Sequence, residues 1–191
     1  MVNLAIYGAV MGSTHSLWQA LSSAVKLPVL FLATLIVCAP TLYFFNLIFG
    51  SRQSLSQNIA LMLTAITVTA VVLLSFAPIV LFFLLTSSNY QFFKLLNVGV
   101  FGVAGLIGVL FLAQGMRVVS RSGTEDMGAR LAVVRLWIIV YAFVGSQVAW
   151  TLRPFVGAPS MQFELFRQLG GNFYTNIFAS IGELLGFFTV R

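Results

Sequence analysis

The chain has 191 residues, 60% of them hydrophobic and 7% charged, against about 25% charged in soluble domains. So little charge cannot cover a surface for water, and so much apolar side chain excludes a disordered polymer. The net charge of +6 comes from ten basic and four acidic residues. The basic ones are scattered between apolar runs, which suits lipid headgroups and excludes nucleic acid, whose phosphates call for clustered charge.

The composition therefore predicts an all-α integral membrane protein. The chain divides into an N-terminal amphipathic segment (1–26), a four-helix transmembrane core (27–151) and an interfacial loop with a C-terminal amphipathic helix (152–191). In the first, Leu4, Tyr7, Met11, Trp18, Leu21 and Val25 recur at helical spacing, which predicts one amphipathic helix over 3–25. Gly8, Gly12, Ser16, Ala20 and Ala24 repeat a small residue every fourth position, and such a seam lets another backbone approach. The expected state is a helix lying on the membrane surface; docking on partner helices is the alternative. The segment lacks the basic start of a cleavable signal, so it is expected to be retained.

Four apolar runs follow, at 27–49, 59–85, 93–114 and 131–150. Each approaches or exceeds the ~20 residues needed to cross ~30 Å of hydrocarbon. Pro40 interrupts the first and is expected to kink it. The third carries Gly99, Gly102, Gly105 and Gly108. Steps of three residues turn a helix by about 300°, so these glycines spiral, and close packing against more than one neighbour is expected. Gly145 and Ala149 form a small-residue pair in the fourth run. Residues 115–130 form the longest polar stretch and belong in water or at the interface.

In the last region, Arg153-Pro154 through Arg167 is expected to form either an interfacial loop, with Arg153 or Arg167 paired to Glu164 or to a partner, or a connector facing the lipid headgroups. Phe173, Ile177, Ile181, Leu184 and Phe188 share a helical face, predicting a second interfacial helix over 173–188. A fifth crossing over 173–190 would put Glu183 within the bilayer, at about 2.5–3.5 kcal/mol near its centre. Four crossings put Lys26, Lys94, Arg153, Arg167 and Arg191 on one side, and Arg52, Arg117, Arg121, Arg130 and Arg135 on the other. The basic residues thus tie five against five and do not orient the chain; the polar N-terminal segment favours both termini on the cytoplasmic side.

Candidate chemistry is sparse. His15 is the single histidine, so any triad would depend on it alone. Cys38 is the single cysteine and reads as a small buried hydrophobe. No His, Cys, Asp and Glu cluster has metal-ligand spacing, and no phosphate-binding glycine loop occurs. An enzyme is not expected. For a pigment or haem, whose usual axial ligand is His, the candidate is His15, with Asn46, Asn97 and Gln114 as weaker ligands. Thr64 and Thr67 are the candidate lining of an oligomeric pore.

Two stretches carry a resemblance. One runs from Leu27-Pro28-Val29 through Pro40-Thr41-Leu42-Tyr43-Phe44-Phe45-Asn46 to Phe76-Ala77-Pro78 and Asn89-Tyr90-Gln91-Phe92-Phe93-Lys94-Leu95-Leu96-Asn97. The other is Trp150-Thr151-Leu152-Arg153-Pro154-Phe155 with Gly157, Pro159, Phe163, Arg167 and Gly171-Asn172-Phe173-Tyr174. Together they resemble a family of small bacterial multi-pass membrane proteins, cyanobacterial members included, some bearing an actin-binding WH2 label. The hydrophobic layout is also similar to that of Yip-domain proteins. The first resemblance implies a membrane scaffold in a bacterial inner or thylakoid membrane, with a photosynthetic or respiratory complex as host.

The expected function is a non-catalytic membrane subunit, scaffold or assembly factor, alone or as a homo- or hetero-oligomer. Its expected partners are lipids and other membrane subunits. The alternatives are a small oligomeric channel or transporter and a Yip-like membrane-shaping protein.

Overall fold

The computed structural model describes residues 1–13, 15–48, 54–87, 89–120, 127–157, 165–166 and 172–185. Among them the protein is all-α, with six helices: α1 (Val2–Gly12), α2 (Leu17–Ile48), α3 (Leu55–Thr86), α4 (Tyr90–Ser120), α5 (Met127–Leu152) and α6 (Phe173–Leu184). Leu17–Thr41, Ser56–Thr86, Tyr90–Gly115 and Arg135–Leu152 are long and apolar enough to cross a membrane. The chain is a multi-pass helical membrane protein. α6 as described has 12 residues, about 18 Å of helix and short of a crossing; the rest of the 173–190 segment, from 186 on, lies outside the described residues.

The N-terminal segment differs from expectation. It is not one helix over 3–25: α1 ends at Gly12, and residues 17–26 are the opening turns of α2. The break is chemical. The Ser13 hydroxyl donates back to the Val10 carbonyl at 2.7 Å, and Ser16 Oγ accepts the Gln19 backbone N–H at 3.2 Å. The second contact caps the start of a new helix. The break also changes the phase of the apolar stripe. Leu4, Tyr7 and Met11 are buried, whereas Trp18, Leu21 and Val25 are 70%, 61% and 66% exposed. In α2 it is Gln19, Ser23 and Lys26 that face inward.

Nor does α1 lie on the surface. It packs between α2 and α3, running antiparallel to the first turns of α2. A Cβ at Gly8 would fall on the Ser23 carbonyl oxygen, and one at Gly12 would lie 2.5 Å from that of Gln19. Tyr7 reaches across to α4: its hydroxyl donates to Asn97 Oδ1 at 2.9 Å, and its ring meets Phe101 edge-on at 5.6 Å. Burial pushes the Tyr7 phenol above its usual range, so it stays a donor.

The spans then pair as α3 with α4 and α2 with α5, while α4 and α5 barely touch. The N-terminus of α3 is set by Ser54 and Gln57, whose side chains each accept the other's backbone N–H, a capping box. α2 runs through Pro28 and Pro40, and α3 through Pro78, without ending. Trp137 of α5 donates its indole N–H to the Cys38 carbonyl at 3.0 Å, joining α5 to the middle of α2.

The glycines of α4 do not all serve close packing. A Cβ at Gly108 would strike Thr69 Oγ1 of α3, but at Gly99, Gly102 and Gly105 it would meet no atom within 4 Å. Those three face open space.

Gly8→Val should therefore force α1 off α2 and destabilise the protein by about 1–3 kcal/mol, the usual range for overpacking. Gly99→Ala should not. Melting curves in one detergent compare them; equal midpoints for Gly8→Val and the wild type would contradict the wedged position of α1.

Candidate functional site

Between the α2–α5 and α3–α4 pairs lies a cavity of about 690 Å³, within the ~300–1,000 Å³ typical of ligand pockets. α1 creates it by wedging the two pairs apart at one end, and Met11 contributes to its lining. One wall is α4, with Phe101, Gly102, Gly105 and Gly108; the facing wall is α5, with Trp137, Tyr141, Gly145 and Ala149. Gly102 and Ala142, one from each wall, are both exposed, so the cavity is a cleft open between α4 and α5.

The cleft is polar at one end and apolar along its length. Tyr90, Gln91 and Lys94 of the first turns of α4, Arg153 just past α5, and Asn176 of α6 all line that end. Two cations and no carboxylate line the cleft among the described residues. The Arg153 guanidinium stacks on the Trp150 ring at 3.5 Å, a cation–π contact that fixes its place. From Lys94 to Leu112 the lining follows α4 for about 27 Å, close to the ~30 Å hydrocarbon thickness. Tyr141 lines the α5 wall, and its hydroxyl is buried without a hydrogen-bond partner among the described residues.

α6 straps the polar end. Asn172 caps it, accepting the Thr175 N–H at 2.9 Å. Lys94 Nζ donates to Asn176 Oδ1 at 2.8 Å, and Gln91 Nε2 to Glu183 Oε2 at 2.7 Å, tying α6 to α4. The Tyr174 and Ser146 hydroxyls lie 3.1 Å apart, tying it to α5. The helix thus docks through these polar residues together with Phe173 and Ile177, which line the cleft, while Phe178 and Leu185 stay exposed.

The chain leaving α5 is held by the inward face of α2. Gln19 Nε2 donates to the Pro154 carbonyl at 2.8 Å, and Ser23 Oγ to the Phe155 carbonyl at 2.7 Å. Lys26 Nζ donates to the Pro154 carbonyl at 3.3 Å and to that of Leu165, and lies 4.9 Å from the Phe166 ring. These donors satisfy carbonyls that hydrocarbon cannot.

The sequence candidates divide accordingly. His15, Asn97 and Gln114 do not come together. His15 packs against Gly157 and does not line the cleft. Asn97 lines it but is engaged, accepting from Tyr7 and donating to the Phe93 carbonyl at 2.8 Å. Gln114 is exposed and outside the lining. Gly145 makes ordinary contact with Thr34 of α2, its Cβ position 3.6 Å from Cγ2, and Ala149 lines the cleft. Arg153 and Pro154 belong to the polar end; Glu164 and Arg167 lie outside the described residues. Thr64 and Thr67 are exposed on α3 and donate to their own helix, at the Ala60 and Leu63 carbonyls. Sequence reasoning missed Lys94, Tyr141 and the donors to the loop. The signal for the donors was present: Gln19, Ser23 and Lys26 share one helical face at the entrance of an apolar span.

No family model, curated protein or solved structure matches the chain. Function is read from the geometry.

Lys26→Met should leave the Leu165 carbonyl without this donor and weaken the hold on Pro154, each orphaned group costing about 1–3 kcal/mol. Hydrogen–deuterium exchange should rise at Val156 and Gly157 and stay unchanged in the middle of α3. Unchanged exchange at 156–157 would show that Lys26 does not hold the loop.

Proposed function

We propose that this chain is a non-catalytic membrane subunit that works by holding a guest in the cleft between α4 and α5. The observation that carries this reading is the bare glycine wall. Gly102 and Gly105 line the cleft and face open space, although helix interfaces in membranes use glycine to bring backbones together. A surface shaped for close approach and left uncovered by its own chain suits something from outside. The Tyr141 hydroxyl, buried and without a hydrogen-bond partner among the described residues, adds to this, because a guest with a polar atom there would offset the cost of the orphaned group.

A scaffold or assembly role follows from the same feature, since α6 and the loop after α5 form a rim that a neighbouring subunit could read together with the guest. The resemblance described above supports a bacterial inner or thylakoid membrane as its location. The groups lining the cleft suit binding more than reaction: they are alkyl, aromatic, amide and hydroxyl groups with two cations.

The test is a cleft-filling substitution. Gly105→Leu places a side chain where a Cβ meets no atom within 4 Å, so it should fill the cleft without disturbing the fold. After mild-detergent purification, the variant should lose about tenfold or more of whatever lipid or polypeptide the wild type retains, equivalent to ~1.4 kcal/mol. Its melting midpoint without the guest should be unchanged. Retention of the same material at the wild-type level would contradict the reading.

A further inference from the structure

We propose that α1 and α6 widen the protein in one leaflet only, and that this taper draws it to membranes convex on that side. The inference goes beyond the guest in the cleft and does not rest on it.

Two of the six described helices are short of a crossing. α1 has 11 residues and α6 has 12, about 16 and 18 Å of helix against ~30 Å of hydrocarbon. Both lie at the end of the bundle where α2 and α4 begin and α3 and α5 finish. Gly8 and Gly12 set α1 against Ser23 and Gln19 in the first turns of α2, and Tyr7 bonds Asn97 near the start of α4. Asn176 and Glu183 tie α6 to Lys94 and Gln91 in the first turns of α4. Its other end reaches inward: Tyr174 meets Ser146 of α5, about 9 Å short of the end of that helix at Leu152. Both short helices therefore lie beside the spans and not beyond them.

The surface at that end shows what surrounds them. Ile6 of α1, Leu21 of α2, Leu85 of α3, and Phe178 and Leu185 of α6 are all exposed, while Gln19, Ser23, Lys26 and Asn97 at the same end are buried. Apolar side chains outside and polar ones inside mark a surface that meets lipid. One leaflet thus receives six helices and the other the four spans, among the described residues. A helix ~10 Å across covers about 80 Å², so α1 and α6 add about 160 Å² to the ~310 Å² of four upright spans. A flat bilayer offers equal area in its two leaflets; a curved one offers more on its convex side. The taper fits where the leaflet holding α1 and α6 is the convex one, and helices seated at the membrane boundary respond to curvature in this way.

The experiment uses full-length protein with a fluorophore at Thr86→Cys, an exposed site at the wide end; Cys38 is fully buried and stays unlabelled. The protein is reconstituted into giant phosphatidylcholine vesicles, and narrow membrane tubes are pulled from them. An aqueous quencher outside separates molecules whose wide end faces out from those whose wide end faces in. The outward-facing molecules should be enriched in the tube over the vesicle body by about twofold or more, and the inward-facing ones depleted. Phe178→Glu with Leu185→Glu places charge on the lipid-facing side of α6 at exposed positions, so it should lift α6 from the leaflet and weaken the enrichment. In flat vesicles, a fluorophore at Phe178→Cys should be quenched by nitroxides on the acyl chains and not by iodide in water, a measurement that does not depend on the glutamate pair folding. Equal density of both populations in tube and body, enrichment unchanged by the glutamate pair, or a label at position 178 quenched by iodide and not by the nitroxides each overturns the proposal.

Discussion

A chain that leaves a helix at the edge of hydrocarbon carries carbonyls that lipid cannot satisfy, and each one left bare costs several kcal/mol. At the end of α5 those carbonyls are Pro154 and Phe155, and their donors are Gln19, Ser23 and Lys26. This contact explains why the first turns of α2 turn polar residues inward and leave Trp18, Leu21 and Val25 exposed. It also fixes α5 against α2. Once α5 is committed to α2, and α4 to α3, the two pairs meet through α1 and along a limited direct contact of α2 with α3, and elsewhere face each other across a gap.

α1 determines where. Its 11 residues make about 16 Å of helix, enough to separate the pairs at one end only. Gly8 and Gly12 let it sit against the backbone of α2, and the Tyr7–Asn97 bond ties it to α4. With the pairs held apart there, the facing walls of α4 and α5 remain unjoined, and α6 bridges them at the interface. The cleft is thus a consequence of where three sets of polar side chains find partners, and the glycines keep its wall bare.

Much of this architecture was legible in the sequence. The apolar runs announced the four spans, and the small residues at Gly8 and Gly12 announced a close helix contact. Helical periodicity alone, however, carried the stripe of Leu4 through Val25 across a break set by two serine hydroxyls, Ser13 and Ser16. A period shows that a face is apolar without showing whether it meets protein or lipid, so the outward turn of Trp18 and the inward turn of Gln19 were not readable. The same ambiguity hid the docking of α6 through Asn176 and Glu183. The spiral of Gly99 to Gly108 signalled something unusual in α4. Only the placement of α3 and α5 separates Gly108, which packs on α3, from Gly102 and Gly105, which face the gap, and from Gly99, which is open but outside the cleft.

The separation of α4 from α5 is the feature on which the rest turns, and cysteine cross-linking in membranes measures it directly. A disulfide needs Cβ atoms about 3.5–4.5 Å apart. Thr34→Cys with Gly145→Cys, across the packed α2–α5 contact where the Gly145 Cβ position lies 3.6 Å from Thr34 Cγ2, a γ atom whose place a cysteine sulfur can take, should close under mild oxidation. Gly102→Cys with Ala142→Cys, across the cleft, should stay reduced under the same conditions. Rapid closure of the second pair, at a rate matching the first, would mean that α4 and α5 are in contact in the membrane and that there is no cleft for a guest to fill.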